Sequence, residues 1–310
     1  MKILVCDKLE EKVLDKFEEL GEITNISKSK TKTEDLKSNI VDTDIVVIRS
    51  GTKINKDILK NANNLKIIAR CGVGVDNVDL EEATNKKIHV TNSPNANIIS
   101  VAELTIGLII SAARKIHLSN NSLKHNKWDR NKFLGTELYQ KQLGLIGFGK
   151  AAKEVAKRLS AFGMDIVFFD PYVDTSEFEA KKVELDELLK TSDVISIHVV
   201  KNEETTNLLS NEKLDLIKKG GILVNTSRGG IIDEESLFRR GNEDLIFAGL
   251  DVFNQEPPDI NETFLNSNIV TTPHLGASTY EAQLKAGMET VQNVSDILDG
   301  ELSSVINLKK

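Results

Sequence analysis

The sequence is poor in the features that mark several large classes of protein. Only two of its 310 residues are cysteine, Cys6 and Cys71. That is too few for a disulfide framework, and their spacing is not that of metal ligands, so no metal is expected. Cys6 lies in an apolar, strand-like run and reads as packed and inert. A single Cys6–Cys71 disulfide is left open, although a chain of this size does not need one. Positive charge is not in excess either: 40 Lys and Arg stand against 47 Asp and Glu, a net charge of −7. Non-specific nucleic-acid binding needs a basic surface, so no nucleic-acid partner is expected. The most apolar stretch, around 104–110, falls far short of the roughly 18 apolar residues of a membrane span, and Glu103 and Arg114 flank it. No membrane partner is expected. The opening Met1-Lys2-Ile3-Leu4-Val5-Cys6-Asp7 meets an acid too early for a signal-peptide core, which predicts a cytoplasmic location. Internal repeats and low-complexity segments are also missing.

What is present is an ordinary globular composition, 40% hydrophobic and 28% charged, in a chain long enough for two domains. The many lysines alternate with acids, as in 8–19, the pattern of a solvated helix face.

The most informative stretch is 141–170. An apolar run, 143–146, enters Gly147-Phe148-Gly149-Lys150-Ala151-Ala152. A helical pattern with Val155, Ala156 and Leu159 on one face follows, then a second apolar run, 166–169, that ends at Asp170. This is strand, tight turn, helix, strand and acid, the dinucleotide-binding pattern in its G-x-G-x-x-A form. Gly147 permits the turn, Gly149 lets the backbone approach a pyrophosphate, and Ala152 lets helix and strand pack closely. Lys150 and Ala151 open the helix whose free N–H groups and dipole would hold the phosphates. Asp170 would accept from the adenine-ribose hydroxyls and repel a 2′-phosphate, and no Arg follows it directly, so NAD is expected over NADP.

Around this core the chain alternates strand and helix patterns, which implies parallel sheets with right-handed crossovers. Strands are expected at 3–6, 22–26, 44–48, 66–69 and 88–90, with helices near 10–20, 33–41, 55–61 and 79–86. A turn-rich stretch, 93–97, reads as a hinge, and a mostly apolar helix over 98–116 belongs at a core or interface. The polar segment 117–140, with the sole tryptophan Trp128 beside Asp129 and Arg130, reads as a surface arm or dimer contact, with ordinary packing as the alternative. Beyond Asp170, helices are expected at 185–189, 214–217 and 233–238, and strands at 194–198, 221–225, 245–250 and 269–271. A final helix over 279–298 precedes a strand-like end, 304–308.

Two strand ends in the first part carry Arg49-Ser50-Gly51 and Arg70-Cys71-Gly72-Val73-Gly74. Ligands of open α/β sheets bind at the carboxyl ends of strands, so Arg49, Ser50, Gly51, Gly72, Val73 and Gly74 are expected to bind a small anionic substrate. A surface salt bridge is the competing reading of Arg49 and of Arg70. Gly72–Gly74 competes as a nucleotide turn but lacks the third small residue, and Asp76 would face the phosphates.

In the second part, Arg228, Glu256 and His274 each follow one of three successive expected strands. Arg228 can grip a carboxylate with two parallel hydrogen bonds. His274 can take a hydroxyl proton in oxidation and return it in reduction. Glu256 would orient the imidazole and favour its charged form. Asp251 could accept from a nicotinamide amide, and Thr226, His274 and Gly276 complete the expected cofactor set. His89, His117, His125 and His198 read as structural.

The chain resembles the D-isomer-specific 2-hydroxyacid dehydrogenases. The resemblance is carried by 47–51, 72–79, Asn92-Ser93-Pro94-Asn95-Ala96-Asn97, 143–152, Asn225-Thr226-Ser227-Arg228-Gly229-Gly230, 250–257 and Pro273-His274-Leu275-Gly276-Ala277, in that order along almost the whole chain. It implies two Rossmann-like or flavodoxin-like α/β domains with parallel sheets and an active site in the cleft between them. The substrate-binding domain would comprise 1–95 and 280–310, and the NAD-binding domain 96–279. It also implies Arg228, Glu256 and His274 as the catalytic set and a homodimer through the NAD-binding domains. The implied reaction is NAD-dependent oxidation of D-3-phosphoglycerate, the opening step of serine synthesis. Alternatives are glyoxylate, hydroxypyruvate or another short 2-keto acid, or, in another class, an NAD(H)-sensing corepressor on the same fold. A phosphorylated substrate needs additional positive charge, for which Arg49, Arg70 and Arg130 are candidates. The chain stops soon after its final helix, so the regulatory domain carried by many members, and serine feedback through it, are not expected.

Overall fold

The computed structural model describes residues 1–27, 32–174, 179–261, 264–265 and 268–308. These divide into two compact units, Met1–Asn97 with Ala277–Lys310, and Ile98–Gly276.

Short runs rich in Val, Ile and Leu form the strands of the first unit: β1 (Lys2–Val5), β2 (Glu22–Asn25), β3 (Ile45–Ile48), β4 (Ile67–Arg70) and β5 (His89–Thr91). All four residues of β3 are buried, as a central strand covered on both faces requires. The described strands pair in the order β2-β1-β3-β4-β5, each pair parallel. This is the flavodoxin-like order, with its switch point between β1 and β3. Apolar side chains fill both faces of the sheet. One face is covered by the long helix Tyr280–Leu298, whose cap Thr279 accepts from Ala282 N–H at 3.1 Å. A Cβ on Gly287 would lie 2.4 Å from Val13 Cγ2, so glycine lets this helix close on helix Glu11–Glu18.

The two cysteines are free and buried. Cys6 and Cys71 belong to different apolar clusters of this unit, so the disulfide left open by the sequence is not formed. Burial pushes both thiols up, Cys71 to about 11. The expected strand over 304–308 is reduced to one antiparallel bridge, Val305 with Thr91.

The second unit holds β6 (Gln142–Ile146), β7 (Asp165–Phe169), β8 (Ala180–Lys182), β9 (Val194–Ile197), β10 (Gly221–Asn225), β11 (Ile246–Leu250) and β12 (Val270–Thr271). The described strands run β12-β11-β10-β9-β6-β7-β8, all parallel. Counted from β6, the order 3-2-1-4-5-6 is that of the doubly wound dinucleotide fold, extended by β12. Its switch point lies between β6 and β9. Phe148 stacks on Phe168 with centroids 4.2 Å apart inside the core, beside the fully buried Ala152, Val155 and Leu159.

Three local expectations change. The apolar helix spans Ile98–Arg114 and breaks where Lys115 takes a left-handed backbone, φ 52°, before helix Ile116–Lys124. The helix expected at 214–217 lies one turn earlier, Asn211–Leu214, because the Ser210 side chain caps it. Strand β8 has no counterpart among the strands expected from the sequence.

Candidate active site

The glycine turn between β6 and helix Lys150–Ser160 sits at the switch point of the second unit. Gly147 has φ +85°, and a Cβ there would come within 2.8 Å of His198 O and Val199 Cγ1. Glycine is therefore required twice over, by conformation and by space. Gly149 is different: a Cβ would meet nothing within 4 Å. The space above it is open at the N-terminus of the helix, the arrangement that suits a pyrophosphate. Asp170 is committed to the turn: one oxygen accepts from Phe148 N–H and the other from Tyr172 N–H, both at 2.8 Å. Each oxygen keeps a second lone pair for a ribose hydroxyl. These residues fit a dinucleotide cofactor.

Arg228, Glu256 and His274 all belong to this unit. His274 follows β12 and has φ 56°, an uncommon backbone for a residue with a side chain and one concentrated at functional sites. Its N–H reaches Asp251 O at 2.9 Å and Thr272 O at 3.0 Å. Asp251, at the end of β11, holds that conformation in place. Its carboxylate accepts from Leu275 N–H and Thr272 Oγ1, both at 2.6 Å, and from Gly276 N–H at 2.8 Å. Asp251 is fully buried, so the structure gives this carboxylate a loop-building duty that the sequence did not suggest.

His274 Nδ1 lies 2.7 Å from Glu256 Oε2, and Glu256 Oε1 accepts from Phe253 N–H at 3.2 Å. The carboxylate thus fixes Nδ1 as the protonated nitrogen and leaves Nε2 for other chemistry. The pair is open to solvent, with side-chain exposures of 47% and 40%. Arg228 leaves the end of β10 on a turn built by Asn225. The Asn225 amide donates to Arg228 O at 2.8 Å and accepts from Ser227 N–H at 3.0 Å. The next residue, Gly229, packs directly on the Glu256 loop, where a Cβ would lie 1.8 Å from Phe253 O. The structure therefore brings the three residues into one contiguous set of loops. Thr226 is buried, its hydroxyl bonded to Thr105 at 2.7 Å. His198, read as structural, follows β9 beside Gly147, with Nε2 2.9 Å from Ser196 Oγ.

In the first unit, Arg49-Ser50-Gly51 lies at the β1/β3 switch point. Asp7, at the end of β1, accepts from Arg49 N–H at 2.6 Å, and Asn77 donates to Arg49 O at 2.7 Å. The Arg70 guanidinium folds over Gly72, where a Cβ would fall 1.6 Å from Nη1; Gly72 has φ +144°. Val73 is held by Asn92, whose amide donates to Val73 O at 2.6 Å. Among the described residues, no group of three or more His, Cys, Asp or Glu side chains is placed to hold a metal ion. Nor is any helix among them long and apolar enough to cross a membrane.

Residues 106–276 match the family model for the NAD binding domain of D-isomer specific 2-hydroxyacid dehydrogenases. Along 99% of its length the chain is 46% identical to the D-3-phosphoglycerate dehydrogenase of Methanocaldococcus jannaschii, of which it spans 60%. It is also 46% identical to the hydroxypyruvate reductase of Thermotoga maritima, over 84% of this chain and 87% of that protein. Among solved structures, the NAD+-bound 3-phosphoglycerate dehydrogenase of Entamoeba histolytica superposes with a TM-score of 0.84 at 32% identity, covering 100% of this chain and 99% of that one. The chain belongs to the D-isomer specific 2-hydroxyacid dehydrogenase family, and its second unit is the family's NAD-binding domain.

Proposed function

We propose that the chain oxidises D-3-phosphoglycerate to 3-phosphohydroxypyruvate with NAD, and catalyses the reverse reduction. The observation that carries this reading is the His274–Glu256 pair at 2.7 Å in the same unit as the open glycine turn. NAD, when bound, supplies the hydride acceptor. His274 Nε2 takes the proton of the substrate hydroxyl in oxidation and returns it to the carbonyl oxygen in reduction. Glu256 orients the ring through Nδ1, so no rotation is needed as the proton moves. Arg228 binds the substrate carboxylate and fixes the carbon that loses hydride. Arg49 and Arg70 are assigned to the substrate phosphate, with Arg130 as a further candidate. The substrate domain is assigned to 1–95 with 280–310, and the NAD-binding domain to 96–279. A homodimer through the latter is supported by Trp128, Leu134 and Tyr139, which are 77%, 85% and 62% exposed on the segment after helix Ile116–Lys124.

Hydroxypyruvate or glyoxylate is the second substrate reading. The Thermotoga hydroxypyruvate reductase favours it, because it is as similar as the phosphoglycerate dehydrogenase and closer in length. The test is a panel of 2-hydroxy and 2-keto acids, with and without phosphate, assayed with NAD(H) and NADP(H). A preference of kcat/KM for 3-phosphohydroxypyruvate over hydroxypyruvate supports the first reading, and the reverse preference supports the second. Tight NADH binding with no turnover of any acid would leave the corepressor class.

A further inference from the structure

Two of the loops at the candidate active site, those of Arg228 and Glu256, meet at a residue that has no assigned part in the chemistry. Glu234 is the first residue of helix Glu234–Asn242, after the cap Asp233. Its Oε1 accepts from Asn254 N–H at 2.6 Å. The backbone N–H of Gly230 faces the same carboxylate. Asn254 lies two residues before Glu256, and Gly230 two residues after Arg228. We propose that Glu234 is a positioning residue for the dehydrogenase reaction: one carboxylate ties the Arg228 turn to the Glu256 loop and holds the carboxylate clamp in register with the acid–base pair. The inference rests on the function proposed above.

The surroundings of Glu234 favour this duty over a surface role. Gly229 packs its backbone against Phe253 and Asn254 so closely that no Cβ would fit, which means that the two loops already touch and need only be fastened. Lys201, after β9, reaches over Gly230, where a Cβ would lie 2.5 Å from its Nζ. Burial pushes the Glu234 carboxyl up. The two N–H groups oppose that shift, the nearby Glu256 adds to it, and Lys201 counters it. This half-buried carboxylate is satisfied by the Asn254 N–H that it fastens. A helix-dipole role does not need that bond, and the neighbouring Glu235 would supply it equally well.

The test compares the full chain with Glu234→Ala and Glu234→Gln. Glu234→Ala should lower kcat for reduction of 3-phosphohydroxypyruvate by about tenfold to a hundredfold, the cost of a small misplacement of reacting groups. The KM for NADH should stay within about twofold, which also shows that the variant is folded. Glu234→Gln keeps an oxygen that can accept from Asn254 N–H and should recover most of the loss. A second readout needs no turnover: hydrogen exchange of 251–256, followed by mass spectrometry, should quicken in Glu234→Ala and not in Glu234→Gln. Unchanged exchange in Glu234→Ala overturns the tie. Quickened exchange with unchanged kcat overturns the positioning role. A wild-type chain that turns over no 2-keto acid instead overturns the dehydrogenase reading and the catalytic half of this proposal, while the exchange result still decides the tie.

Discussion

Glu256 faces two ways: Oε2 meets His274 Nδ1 at 2.7 Å while Oε1 accepts from Phe253 N–H at 3.2 Å. The imidazole is thereby referred to the backbone of the Glu256 loop, and its free nitrogen is set by the fold. His274→Ala should reduce kcat by about a hundredfold to ten-thousandfold, the usual contribution of a positioned acid–base group. NADH affinity, read by fluorescence titration, should be almost unchanged. A collapse of NADH affinity would mean that His274 holds the cofactor and does not move the proton.

Asp251 is the structural counterpart of this pair. Its buried carboxylate satisfies two backbone N–H groups and a hydroxyl around His274. Asp251→Ala strands all three and should destabilise the chain by about 3 kcal/mol or more in urea unfolding. Activity should fall with it. A stable, active Asp251→Ala would show that the loop keeps its left-handed turn without this carboxylate.

The two glycines of the nucleotide turn should respond differently to a methyl group. Gly149→Ala meets open space, so stability should change by less than about 1 kcal/mol while NADH affinity falls, because the methyl occupies the place of the pyrophosphate. Gly147→Ala meets His198 O and the wrong backbone region together, so it should lower both stability and affinity. Equal NADH affinity in wild type and Gly149→Ala would place the cofactor elsewhere.

These contrasts separate what was legible in the sequence from what was not. The strand–turn–helix of 143–160 is local, and its glycines and apolar spacing announce it. Arg228, Glu256 and His274 stood out because chemistry-bearing side chains fell just after strands. Contacts made across long stretches of chain leave no such mark. The Asp7–Arg49 bond joins residues 42 apart in sequence, and Glu234 reaches Asn254 across 20. Strand β8, Ala-Lys-Lys, has no apolar alternation because it is the sheet edge. Lys115 carries no glycine or proline to signal its left-handed turn. Apolar spacing alone points to 214–217, while the capping Ser210 starts the helix one turn earlier, at Asn211.

His198 provides a pH prediction. Burial beside β6 pushes its imidazole down to about 4 from 6.5. The folded chain keeps the ring neutral while the unfolded chain protonates it below about 6.5, so its share of stability is complete above that pH and is lost as pH falls toward 4. The residue is only half-buried overall, so the loss should be on the order of 1–3 kcal/mol. Between pH 7 and pH 4.5, the urea midpoint of the wild type should fall further than that of His198→Asn. Parallel falls in both proteins would show that His198 is not the group responsible.

The most direct test of the account is the handedness of the product. With NADH and 3-phosphohydroxypyruvate, the wild-type chain should form D-3-phosphoglycerate, and Arg228→Ala should form it far more slowly. An L-configured product, or no NADH oxidation with any 2-keto acid, would contradict the assignment of Arg228, Glu256 and His274 as the site of a D-specific hydride transfer.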